Sequence, residues 1–178
     1  MSLLDQLRSI LNKNEQPAKE AEVPPVQPQA QDEQGVERRR RRRINAKRGT
    51  RVLIIDDSPT IVAALRKLLN SAKYATLEAF DAESGLQIAQ SEQPDLIFLD
   101  IVLPGMNGFA ALRLMRRDPK TQHIPIIMIS GNEQATEQFY ANRIGADDFM
   151  KKPFSRFEVF ARIERLLDAN HMPRRKGA

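Results

Sequence analysis

Between residues 51 and 170 the chain alternates short unbroken apolar runs with segments whose apolar residues recur every three to four positions. An unbroken run bounded by turn residues suits a strand buried on both faces, whereas recurrence near 3.6 residues suits a helix with one buried side. The runs predict strands at 52–55, 74–80, 96–99, 124–129 and 147–151. A helix opens at Ser58 and Pro59, as N-cap and first helical residue, and carries a stripe of Ile61, Val62, Leu65, Leu68 and Leu69. Further helices are predicted from the Asp81 cap to about 91, over 108–117 with Leu112 and Met115 inward, and over 133–143, where Gly145 stops it. The last spans 156–167 and is expected to bury Phe157, Phe160, Ile163, Leu166 and Leu167.

Five strand–helix units in strict alternation specify an α/β domain with a parallel sheet covered on both faces. Crossovers must be right-handed, so few topologies remain, and the flavodoxin-like (βα)5 arrangement with strand order 2-1-3-4-5 suits five strands. The expected organisation is a short amphipathic helix at 1–13, a disordered linker with an arginine run at 14–49, the α/β domain at 50–168 and a basic tail at 169–178.

The first fifty residues have a different texture. Leu3, Leu4, Leu7, Ile10 and Leu11 fall at helical spacing behind Ser2, which predicts a helix too short to be stable alone. It is read as a docking element for a partner. Prolines at 17, 24, 25 and 28 and a scarcity of large apolar side chains then predict a linker, followed by six arginines at 38–43. The formal net charge of +5 divides into +4 for residues 1–50, −2 for 51–170 and +3 for 171–178. The basic excess thus lies outside the folded part, which disfavours nucleic acid as a partner and leaves a peripheral membrane contact open. The chain of 178 residues has no cysteine and no apolar stretch of membrane-spanning length, which fits a cytoplasmic location.

In open α/β sheets ligands bind at the carboxyl ends of the strands. There the sequence places Asp56 and Asp57, Asp100, Ser130 and Lys152, one strand end after another. Crowded carboxylates repel unless a cation joins them, and an all-oxygen set suits Mg²⁺. Lys152 offers a point charge and Ser130 a hydroxyl to a phosphoryl group, with Asp100 as the carboxylate nucleophile. No glycine-rich nucleotide loop accompanies them.

Through IIDDS, LDIVLPGMNG, MISG and KKPF, residues 50–168 resemble the receiver domain of two-component response regulators. The resemblance implies that Asp100 is phosphorylated and that Asp57 binds Mg²⁺ directly with Asp56 assisting. The backbone carbonyl of Val102 would complete the metal ligands, and Ser130 and Lys152 would hold the phosphoryl oxygens. It further implies a cis bond before Pro153, a switch pairing Ser130 with Phe149, and an acceptor left accessible by the small Gly131. A histidine kinase or phosphotransfer protein would be the donor, and a downstream protein would read the face of the fourth helix, fifth strand and fifth helix. The chain looks most similar to stand-alone regulators of the chemotaxis and twitching-motility type, which are not enzymes beyond accepting and losing their own phosphoryl group. The alternative is an adaptor targeted by residues 2–13 and the arginine run, with a vestigial receiver. A haloacid-dehalogenase-type phosphatase would want an aspartate where Val102 stands.

Overall fold

The computed structural model describes residues 44–131 and 135–175; the helix expected at 1–13 and the arginine run lie outside the described residues. Five parallel strands form one sheet: β1 (Arg51–Ile55), β2 (Ala75–Ala79), β3 (Leu96–Asp100), β4 (Ile126–Ser130) and β5 (Asp148–Lys151), in the order β2-β1-β3-β4-β5. The helices between and after them are α1 (Pro59–Ser71), α2 (Ala82–Glu92), α3 (Gly108–Arg117), α4 (Ala135–Arg143) and α5 (Arg156–Arg165). Architecture and strand order match the expectation.

Side chains alternate across a strand, so each apolar run feeds two cores. Val52, Ile54, Leu96, Phe98, Ile127 and Ile129 face α1 and α5, against Val62, Leu65, Leu69, Val159, Phe160 and Ile163. Leu53, Ile55, Ile97, Leu99 and Met128 face the other way, against Ala82, Ala89, Ala111, Leu112 and Met115. β3 and β4 are buried along their whole length because strands and helices cover them on every side. Continuous apolar sequence without alternation is the signature of such central strands.

Three details depart from the sequence reading. Phe157 is 76% exposed, because the buried stripe of α5 runs through Val159, Phe160, Ile163 and Leu166 and leaves the first-turn phenylalanine beyond its edge. The end of the expected linker is packed: Ala46 is buried and donates its N–H to the Tyr74 hydroxyl at 2.8 Å. The first part of the basic tail is folded as well. Leu167 bridges Pro173, the Arg174 N–H donates to the Leu166 carbonyl, and Arg175 reaches Asp147 at 3.0 Å.

Candidate functional site

Parallel pairing puts every strand's carboxyl end on one rim, and the ladder extends just past the strands at the positions that matter. The Asp56 N–H donates to the Ala79 carbonyl at 3.1 Å, and the Lys152 N–H donates to the Ser130 carbonyl at 2.7 Å. Asp100 and Ser130 are the last residues of β3 and β4. Backbone hydrogen bonds to neighbouring strands therefore fix all four residues, rather than mobile loop geometry. The Lys152–Pro153 bond is cis, as the resemblance implied.

The loop after Asp100 is held equally closely. Asn107 caps α3 by accepting from the Ala110 N–H, and the Gly108 N–H donates to the Ile101 carbonyl at 2.9 Å. A Cβ at Gly108 would stand 2.0 Å from the Asp100 carbonyl oxygen, so only glycine lets α3 start so close to the acceptor strand. The sequence reading makes Gly108 the start of a helix and gives it no further role. Its spacing three residues after Gly105, just ahead of a helix, was the available signal.

Asp56, Asp57 and Asp100 each bring a carboxylate oxygen within 4.8 Å of the others. Asp56 and Asp100 are buried and Asp57 is exposed. Lys152 Nζ lies 2.8 Å from Asp56 Oδ2 and 3.1 Å from Asp100 Oδ1. Neither of those two oxygens has a well-directed hydrogen bond, so the ammonium holds them by charge alone. The second oxygen of Asp56 accepts the Ser58 N–H at 3.0 Å, which commits Asp56 to the protein. Asp57 and Asp100, by contrast, line an open pocket of about 410 Å³ together with Val102, Gly131 and Lys152. Ser130 is buried beside it, and Phe149 is buried in the core among residues of the α2–α4 side.

Burial, and after it the negative charge of Asp56, pushes the Asp100 carboxyl up to about 6, while Lys152 pulls the other way. Burial also pulls the Lys152 ammonium down, but its close pairing with Asp56 and the charge of Asp100 outweigh this and leave it above the ordinary lysine value. Three carboxylates against one ammonium leave two negative charges in a small volume, and two buried oxygens lack directed donors. An oxygen-seeking divalent cation fits both facts. A Cβ at Gly131 would meet nothing within 4 Å, so the approach to Asp100 is open on that side.

Residues 52–164 match the model of the response regulator receiver domain. This chain belongs to the response regulator receiver family. The receiver is 36% identical over 117 residues to protein PilH of Pseudomonas aeruginosa, covering 66% of this chain and 97% of that protein. It is 39% identical to the DNA-binding regulator RpaA of Synechocystis, but there it spans only 48% of the relative. Among solved structures it is similar to chemotaxis protein CheY4 of Vibrio cholerae, with TM-score 0.63 and 27% identity over 66% of this chain and 98% of that one. It is also similar to the receiver domain of the Pseudomonas aeruginosa sensor histidine kinase PA1611, which has a magnesium ion in its active-site cleft. That likeness has TM-score 0.60 and 26% identity, over 66% and 95% of the two chains. Receivers are signalling domains that accept a phosphoryl group and interact with histidine kinases or phosphotransfer proteins, and this chain is one of them.

Proposed function

We propose that Asp100 is the phosphoryl acceptor, that the bound cation is Mg²⁺, and that the product signals by changing which protein the receiver binds. The observation that carries this reading is the buried Asp100 carboxylate, held by Lys152 Nζ at 3.1 Å and facing a pocket it shares with exposed Asp57. Asp57 and Asp100 would hold the metal directly, with Asp56 assisting and the Val102 carbonyl completing the set. When bound, Mg²⁺ supplies charge stabilisation for the transferring phosphoryl group. Lys152 stands where it can bind one phosphoryl oxygen, and the Ser130 hydroxyl a second. Asp56, tied to Ser58 and Lys152, keeps the ammonium aimed between the two carboxylates.

The donor in this reading is a histidine kinase or phosphotransfer protein in the cytoplasm. The receiver catalyses nothing beyond its own phosphorylation and dephosphorylation. A phosphoryl group that draws Ser130 toward it alters the packing beside buried Phe149 and so reaches the face of α4, β5 and α5. That face carries Phe139 and Phe157, exposed by 64% and 76%, which supports its use as a docking surface. A motility or chemotaxis pathway is favoured as the setting because the alignments with PilH and CheY4 run nearly their full length. The boundaries proposed are a docking segment at 1–13, a linker from 14, and a receiver of 50–168 extended by the packed segments at 44–49 and 169–175. Incubation with acetyl phosphate and Mg²⁺ followed by intact-mass measurement tests the assignment. One phosphoryl mass is expected in the native chain and none in Asp100→Asn; retention of the mass in that variant overturns it.

A further inference from the structure

In the sequence the basic residues near the two ends of the receiver are separate features, about 120 positions apart, but the fold brings them together. The Lys47 N–H donates to the His171 carbonyl at 3.0 Å, and the Gly49 N–H donates to the Lys73 carbonyl at 2.8 Å. Thr50 Oγ1 donates to the Lys47 carbonyl at 2.7 Å, and the Arg174 N–H to the Leu166 carbonyl at 2.7 Å, so this corner is knitted by backbone bonds. It exposes Lys47, Arg48, Lys73, His171 and Arg174. Arg174 is opposed by Asp168 at 3.3 Å. Lys47, Arg48 and Lys73 have no carboxylate partner among the described residues. The corner lies at the amino ends of β1 and β2, one strand length or roughly 15 Å from the Asp100 rim.

We infer that this corner, made of Lys47, Arg48, Lys73 and Arg174, is a docking surface for an anionic lipid bilayer. Charge alone fits any polyanion, and two features of the sequence favour lipid. The six arginines at 38–43 lead directly into Ile44, and residues 2–13 carry an apolar stripe of Leu3, Leu4, Leu7, Ile10 and Leu11. A polybasic surface and an insertable apolar segment are the two signals that stable peripheral anchoring requires, and each basic residue near an anionic surface contributes roughly fivefold in affinity. Nucleic acid has no use for the apolar stripe, and the first fifty residues contain no aromatic side chain on which bases could stack. With the corner on the bilayer, the pocket at the opposite strand ends stays open to a phosphoryl donor.

The test is flotation of the full chain with vesicles of phosphatidylcholine alone and of phosphatidylcholine with phosphatidylglycerol. Binding is expected only with phosphatidylglycerol, and it should weaken severalfold from low to moderate salt. Lys73→Glu and Arg48→Glu should each lower affinity by about fivefold or more, although they lie on different elements. Arg113→Glu, an exposed charge change on α3, should leave it unchanged. Equal binding to both vesicle types, or loss in Arg113→Glu as large as in Lys73→Glu, overturns the inference. So does tighter binding to duplex DNA than to anionic vesicles at the same salt. A lipid spin label in the vesicles should broaden amide signals of residues 47–49, 73 and 171–174 in the native chain while sparing Asp57 and Gly131, a readout that does not depend on the variants folding. Broadening centred on Asp57 and Gly131 would overturn the surface assigned.

Discussion

At the scale of single residues, the site trades stability for chemistry. The Asp100 carboxyl, pushed up to about 6 by burial and by Asp56, would be near 3.8 in the unfolded chain. Between those values the folded state binds more protons than the unfolded one, so this group's contribution to stability falls as pH rises from about 4 through 6. Above that window the metal-free protein carries an unfavourable buried charge, worth at most about 3 kcal/mol and less after solvent screening. Asp100→Asn is therefore expected to melt higher than the native chain in EDTA at pH 7, with the gap closing toward pH 4. A gap independent of pH would show that the carboxyl is not strained. The same proton competes with metal, so Mg²⁺ affinity should weaken as pH falls below about 6. Because the chain has no tryptophan, calorimetry or NMR is the measurement to use. Gly108 is the second residue-scale constraint. A Cβ there would stand 2.0 Å from the Asp100 carbonyl oxygen, and backbone cannot swing aside as a side-chain tip can. Gly108→Ala should cost on the order of 2 kcal/mol or more, as overpacking does, and lower phosphorylation along with the melting temperature. Unchanged values for both would mean that α3 starts with more freedom than this contact allows.

At the scale of elements, most of the chain could be read in advance because central parallel strands announce themselves. Runs such as that ending at Asp100 are apolar without alternation since helices cover both faces, and Asp81 caps α2 through the Ser84 N–H as its type and position suggest. Phase within a helix is less legible. Phe157 and Phe160 are three apart and share a stripe on paper, but only the packing against β4 and β5 decides where that stripe ends. Ser58 stands at the N-cap of α1 without a side-chain capping bond, and Pro59 shapes the start of that helix instead. The folded segments at 44–49 and 168–175 were illegible for a related reason. Composition marks them as charged tails, whereas what fixes them is a few backbone bonds and one ion network. In that network Asp147, nearly buried, accepts from Arg116 Nη2 at 2.7 Å, Arg175 Nε at 3.0 Å and the Ile126 N–H at 2.8 Å. Burial lowers the Arg116 guanidinium to about 10, against the opposing effect of Asp147. Removing the carboxylate would leave a largely buried cation and an unsatisfied N–H. Asp147→Ala should thus cost about 3 kcal/mol or more, whereas Arg175→Ala, which leaves the Arg116 pair intact, should cost less. Equal losses in chemical denaturation would mean that the tail, not the pair, carries the stability.

At the scale of the whole molecule, the site was legible because it is distributed. Five polar residues on four strand ends converge only if the sheet is parallel and ordered 2-1-3-4-5, so fold and chemistry supported one another before any geometry was known. The division of labour along the chain follows from the same topology. The described residues already form a complete sheet with both faces covered, and they span 98% of the CheY4 chain they resemble. We propose that residues 1–36 are surplus to a receiver core. Their removal is expected to leave the melting temperature and Mg²⁺-dependent phosphorylation unchanged while abolishing recruitment through residues 2–13. A fall of several degrees in the truncated protein would mean that the stripe packs on its own domain. Retained recruitment with unchanged stability would instead transfer the docking role to residues that the truncation leaves in place, with the arginines at 38–43 the first to substitute.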